Sequence, residues 1–315
     1  DNENCLGFLF AGVPMRCTVN PAVGQEKELG LATITRASKR KKVLVVGGGP
    51  AGLESARMAA VRGHEVHLYE KEGELGGRIN LTAKIPGREE IANIVRWFKL
   101  QLETLGINVV LGKEVTPDVV AQLKPDAVVV ATGSLPIKTG LQPVTFTEIP
   151  GWNSPNIVSV DDVFKGTASI GKNVVVLDQV GFVEGLGVSE YLAKQGKNVE
   201  IVSALPFIGS ELISNQHLFF MYPRAAKEGV RFTPNTFIRQ IQGSTVVVFD
   251  VHTNVERRIE NVDNVLLITG RQQNDRVYQQ LKGKVSEIYA VGDCRTYSLY
   301  FGDAVRDGHR VARLL

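Results

Sequence analysis

The chain is poor in cysteine and tryptophan, and nowhere is it apolar for long. Three cysteines among 315 residues, Cys5, Cys17 and Cys294, cannot build a disulfide framework, which favours a reducing, cytoplasmic setting. No apolar run approaches the roughly 18 residues of a membrane helix, and no segment before the first strand reads as a secretory leader, so no membrane partner is expected. Charge of one sign is missing as well. The 36 Lys and Arg side chains are balanced by 33 Asp and Glu, leaving a dispersed net charge of +3. That describes a mixed solvated surface and excludes the basic footprint of a nucleic-acid binder. His64, His67, His217, His252 and His309 show no metal-ligand spacing. An initiator Met is also absent, and the first residues fall mid-motif, as expected of a fragment or a processed chain.

What is present is a soluble globular composition, 43% apolar and 22% charged, long enough for two domains. Its most organised stretch is KKVLVVGGGPAG at 41–52. Val43 to Val46 form the continuous apolar run of a strand buried on both faces. Gly47, Gly49 and Gly52 then carry the spacing of a dinucleotide-binding turn, with Pro50 and Ala51 between them. The first glycine makes the tight turn, the second lets the backbone approach a pyrophosphate, and the third lets helix pack on strand. A helix from Ala51 to about Arg62 would direct its N-terminal amides at the phosphate. A second strand over 65–69 follows and ends at Glu70 and Lys71, eighteen positions beyond Gly52. A carboxylate at Glu70 suits an adenosine ribose hydroxyl.

Later segments extend the pattern. Gly73, Gly76, Gly77 and Arg78 form a glycine-rich loop whose amides can face an anion. The spacing predicts a helix over 88–105 and a strand over 108–111. Residues 126–133 read as a buried strand ending in Ala131-Thr132-Gly133, where small residues let the chain pass close to a nucleotide. Residues 136–167 read as a crossover, with a domain boundary near Ala168. A second strand-helix-strand unit is expected at 173–177, 184–194 and 198–202. Its phosphate turn is altered: DQVGFVEGLG has no GxGxxG spacing, Asp178 and Glu184 place negative charge where phosphate wants amides, and the second strand ends at Ser203 instead of an acid. Residues 217–260 read as a small β meander, and 262–270 as a buried strand returning toward the first domain. Finally, IYAVGDC at 288–294 precedes a helix from about Ala304 to Leu314. Asp293 can accept a hydrogen bond there, Gly292 permits the turn, and Cys294 reads as a small packed residue.

The segment CLGFLFAGVPMRCTVNPAVGQE at 5–26 resembles the end of the iron-sulfur segment in the 2,4-dienoyl-CoA reductase and trimethylamine dehydrogenase family of flavoproteins. That family has C-x2-C-x3-C-x11-C, then V-N-P; Cys5 and Cys17 match the last two ligands and Val19-Asn20-Pro21 follows. The second ligand position is Asp1, so the chain alone cannot complete the cluster.

The resemblance implies an α/β fold of two Rossmann-like domains, the second inserted in the first. Residues 1–40 would be an iron-sulfur-segment remnant and linker, 41–167 with 276–315 an FAD-binding domain, and 168–275 an NAD(P)-binding-like domain. It also implies FAD contacts from Gly77, Arg78, the Val115 backbone, the Ala131-Thr132-Gly133 turn and, at the ribityl chain, Gly292-Asp293. The expected function is an FAD-binding electron-transfer module that exchanges electrons with an FMN barrel through a 4Fe-4S centre. No side chain of the module is expected to be catalytic. The barrel would be a partner domain or subunit, in an oligomer. Two alternatives stay open: an NAD(P)H-dependent flavin reductase, and a structural domain that holds ADP.

Overall fold

Runs of β-branched residues occupy the centres of two parallel sheets, as their two-sided burial requires. The computed structural model describes residues 5–141 and 146–315; Asp1, the expected second cluster position, lies outside them. By its contacts the chain divides into two units. One is built from Asp1–Ala83, Glu90–Leu135 and Gln273–Leu315, the other from Lys84–Glu89 and Pro136–Gln272.

In the first unit the strands Ile288–Ala290, Ala127–Val130, Lys42–Val46, Glu65–Tyr69 and Asn108–Val110 lie side by side in that order, all parallel. Val46 is level with both Tyr69 and Val130, and Ala290 is level with Val130. Four loops therefore leave the sheet at one edge. Alternation decides which face each strand residue serves. Val43 and Val45 join Leu53, Met58, Phe98 and Leu102 on one side, while Leu44 and Val46 join Val120, Val128 and Leu281 on the other.

The helix Pro50–Val61 starts with proline at its first position, where no amide is lost. It packs tightly on the helix Phe301–Ala312. A Cβ on Gly308 would lie 2.3 Å from the Ala51 carbonyl oxygen, so only glycine permits this approach. Beside it, the buried Glu54 carboxylate is held by Arg57 at 2.7 Å and by His309 Nδ1 at 2.7 Å. The segment before the first strand, expected to be extended, instead forms short helical pieces at Cys5–Phe10, Glu26–Leu29 and Leu31–Thr33. Arg313 and Arg306 fasten it, by Nη2 to the Glu28 carbonyl at 3.0 Å and by Nη1 to Gln25 at 3.2 Å.

The second unit repeats the parallel plan with Ile157–Val158, Asn264–Ile268, Asn173–Asp178, Asn198–Val202 and Arg231–Thr233. An antiparallel meander of Thr236–Gln242, Thr245–Asp250 and Glu256–Ile259 accompanies it. Three features differ from expectation. The contact division falls between Leu135 and Pro136 rather than near Ala168, because Ile157 and Val158 pair with Val265 and Leu266. The strand Asn264–Ile268 lies inside the second sheet instead of returning to the first. Within the stretch read as meander, Leu218–Lys227 is a helix; Pro223 interrupts its pattern, and it buries only Met221 and Ala225.

Phe98 is fully enclosed in the first core. Phe98→Ala should cost about 3–5 kcal/mol, measured by denaturant unfolding of the first unit; a cost below about 1 kcal/mol would contradict the packing described.

Candidate nucleotide site and its altered counterpart

At the shared sheet edge of the first unit, the glycine turn is dictated by collisions that any side chain would cause. Gly47 has φ +108°, and a Cβ there would lie 2.4 Å from the Ala131 carbonyl oxygen. A Cβ on Gly52 would lie 1.9 Å from the Gly47 carbonyl oxygen. Gly49, the residue that caps the helix Pro50–Val61, faces open space: nothing lies within 4 Å of its would-be Cβ. The first amides of that helix have no intrahelical partners and emerge beside this opening.

The flanking loops are tied to the turn. Gly48 donates its N–H to Glu70 Oε2 at 2.6 Å, and Glu72 donates to Glu70 Oε1 at 2.8 Å, so the buried carboxylate is oriented by backbone on both oxygens. Each oxygen keeps a further lone pair for a ligand hydroxyl. Gly76 donates to the Gly48 carbonyl at 2.8 Å, and a Cβ on Gly77 would meet Gly49 Cα at 3.1 Å, which sets the glycine loop against the turn. Val115 is buried in the core beneath the loop that Lys113 fastens to the Glu70 carbonyl. Lys71 is exposed, with Glu72 at 4.0 Å.

On the other side of the turn, Asn274 pins Ala131-Thr132-Gly133. It donates its N–H to the Gly133 carbonyl at 2.9 Å, while its own carbonyl accepts from Thr132 Oγ1 at 2.5 Å. Asp293 takes Arg78 Nη1 at 3.1 Å and Ser134 Oγ at 2.9 Å on Oδ2, and the Ser298 N–H at 3.3 Å on Oδ1. Arg78 thus sits on Asp293 and over the Tyr297 ring. Gly292 donates to Asp307, whose carboxylate also holds Arg295. The roles of Gly48, Ser134, Asn274, Ser298 and Asp307 escaped the sequence, since hydrogen bonding between distant loops leaves no periodic signal. Burial pushes the Cys294 thiol up, with hydrogen bonding to Thr132 opposing it, as befits a packed residue. Cys5, Cys17 and Cys294 form no disulfide, and no group of three or more His, Cys, Asp or Glu is placed to hold a metal among the described residues.

The counterpart turn of the second unit is built differently. Four residues, 179–182, join strand to helix there, against three, 47–49, in the first unit. Asp178 Oδ1 accepts the N–H groups of Val180 at 3.0 Å and Gly181 at 2.8 Å. Its Oδ2 is buried without a hydrogen-bond partner. Burial raises this carboxyl to about 6, the two amide bonds opposing the rise and Glu184 adding to it. Ser203, at the position of Glu70, spends its hydroxyl on the Asp178 carbonyl.

Two parallel α/β units, the first with an open glycine turn at its sheet edge, have the Rossmann-like form of the two-dinucleotide-domain class. The chain belongs to the pyridine nucleotide-disulphide oxidoreductase family, whose model matches residues 41–309. It is 38% identical over 207 residues to the N,N-dimethylglycine/sarcosine dehydrogenase of Chromohalobacter salexigens, covering 63% of this chain and 28% of that one. It is 31% identical over 315 residues to the NADH oxidase of Thermoanaerobacter brockii, covering 99% of this chain and 46% of that one. Among solved structures, the 6-hydroxypseudooxynicotine amine oxidase of Pseudomonas geniculata N1 superposes with a TM-score of 0.93 at 26% identity, over 99% of this chain and 48% of that one. The chain therefore spans less than half the length of these relatives, all of which are oxidoreductases by name. Among the described residues no helix is long and apolar enough to cross a membrane.

Asp178 supplies a test by pH. Its folded carboxyl titrates near 6 against an ordinary value of 3.8, so the folded chain holds the proton to higher pH than the unfolded one. Stability is therefore lost as pH rises from about 4 to about 6, by about 3 kcal/mol in all. Asp178→Asn should remove that dependence: the difference in unfolding free energy between variant and parent should shift by this amount across the window. An unchanged difference would contradict the burial.

Proposed function

We propose that the chain is an FAD-binding electron-transfer module of a larger multi-cofactor flavin oxidoreductase. One observation carries the reading. Along the edge of the first sheet, Asp293, the Ala131–Gly133 turn, the open glycine turn and Glu70 follow successive strand ends in that order. Three strand steps of ~4.8 Å separate the strand ends that carry the outer two, roughly 14–15 Å along the edge. ADP would use only Glu70 and the turn. A ligand that engages both carboxylates has a pyrophosphate in the middle and a hydroxyl-bearing arm on each side, which is the layout of FAD.

In this reading the donors fit the group. Gly47, Gly49, Pro50, Ala51 and Gly52 with the helix amides would take the pyrophosphate, and Gly76 and Gly77 would flank it. Glu70 would take the adenosine ribose, the Val115 backbone the adenine edge, and Asp293 the ribityl chain. Lys71 would contribute only long-range charge from its exposed position. Bound FAD would supply one- and two-electron transfer, and the protein would supply orientation and electrostatics. Arg78 and Ser134 hold the Asp293 carboxylate in place, and Asn274 holds the adjacent turn, so the binding edge is set before any ligand arrives.

The reading extends to an FMN barrel, within a longer protein or a partner subunit of an oligomer, as the site of substrate chemistry in the cytoplasm. Cys5 and Cys17 would supply two of the four thiolates of a 4Fe-4S centre; among the described residues no third His, Cys, Asp or Glu joins them in a metal-holding group.

Substitutions separate this reading from an ADP-holding one. Gly49→Ala, whose methyl meets nothing in the ligand-free chain, should leave stability within about 1 kcal/mol yet lower flavin content at least tenfold. Asp293→Ala should weaken FAD strongly and leave ADP affinity unchanged in titration calorimetry. Full flavin content in Gly49→Ala, or equal losses of FAD and ADP in Asp293→Ala, would overturn the assignment.

A further inference from the structure

The family fold implies a nicotinamide dinucleotide in the second unit, and the residues there do not fit one. The two units can be compared position by position. The third residue of the turn helix is Gly52 in the first unit and Gly185 in the second. At Gly52 the missing side chain makes room for the Gly47 carbonyl, whereas at Gly185 it makes room for a carboxylate: a Cβ there would lie 2.2 Å from Asp178 Oδ2. At the helix cap, the open Gly49 is replaced by Phe182, which is buried. The amides that would face a pyrophosphate, those of Val180 and Gly181, already donate to Asp178 Oδ1. Glu184 adds negative charge in the first helical turn, where an anion would otherwise be favoured.

The loop after the second strand completes the closure. Glu211 donates its N–H to the Gly181 carbonyl at 3.0 Å. A Cβ on Gly181 would meet Leu205 at 2.7 Å and Ser210 Oγ at 2.8 Å, so this loop rests directly on the turn. A pyrophosphate would have to displace a carboxylate bonded twice to the backbone, part a packed loop and settle against two negative charges.

We infer that the second unit is a self-sealed Rossmann-like unit in which Asp178, lodged beneath Gly185, takes up the turn amides and, with Phe182 at the helix cap and the loop resting on Gly181, excludes NAD(H) and NADP(H). Its role is then structural. The inference is independent of which nucleotide the first unit holds.

The test is titration of the purified chain, with its first site saturated by added FAD, with NADH and NADPH at pH 7.5, read by fluorescence and by hydrogen exchange at 178–185. The parent chain should show no saturable binding up to roughly 1 mM and unchanged exchange at Val180 and Gly181. Saturable binding below that concentration with added protection at 178–185 would overturn the inference. Binding that protects only 47–52 would place the nucleotide in the first unit and leave the second closed. Asp178→Gly should expose the amides and gain binding at least tenfold, whereas Asp178→Asn, which keeps an acceptor on them, should gain none. If Asp178→Gly fails to fold, Asp178→Asn and the parent titration still decide the exclusion. A folded Asp178→Gly chain that binds no better than the parent would remove Asp178 from the role.

Discussion

The architecture of the first unit depends on the approach of the helix Pro50–Val61 to the strand Lys42–Val46. That approach is possible only because Gly52 has no side chain beneath the Gly47 carbonyl. With the helix seated there, its N-terminus opens at the sheet edge beside Gly49, and the loops carrying Glu70, Ala131–Gly133 and Asp293 are brought level by the parallel register. Charge and hydrogen bonding then refine what packing has set. The backbone N–H groups of Gly48 and Glu72 orient Glu70, while Arg78, Ser134 and Ser298 orient Asp293.

The second unit shows how one local change redirects the same plan. Its strands and helix repeat those of the first, and its core is of the same aliphatic kind, with Val175, Leu177, Ile238 and Val265 packed together. What differs is the first residue to meet the turn. Asp178 satisfies the local amides internally, and Gly185 is retained to house its carboxylate instead of to admit a ligand. A buried carboxylate raised to about 6 carries a stability cost near neutral pH.

Much of the fold was readable from the sequence because the strands are uninterrupted valine-rich runs and the turns carry glycine at fixed offsets. The helix Leu218–Lys227 was not, since Pro223 breaks its pattern and Phe219 and Phe220 remain exposed, so no buried stripe announces it. Gly47 and Gly52 stand at fixed offsets because each meets near neighbours along the turn, and Glu70 ends the next strand, where its carboxylate takes the Gly48 N–H. The bond from Arg78 to Asp293 joins residues 215 positions apart, and a pairing of that kind carries no local signature; the resemblance alone implies Arg78 beside the pyrophosphate. The sequence likewise marked Asp178 as a charge in the wrong place, but only the folded turn shows which amides it occupies.

FAD as the ligand of the first unit is tested most directly by the identity of the nucleotide released when the purified chain is heat-denatured, determined by mass spectrometry and absorbance. FAD released at about one equivalent per chain is the predicted result, while release of ADP alone from a colourless protein that does not take up added FAD would contradict it.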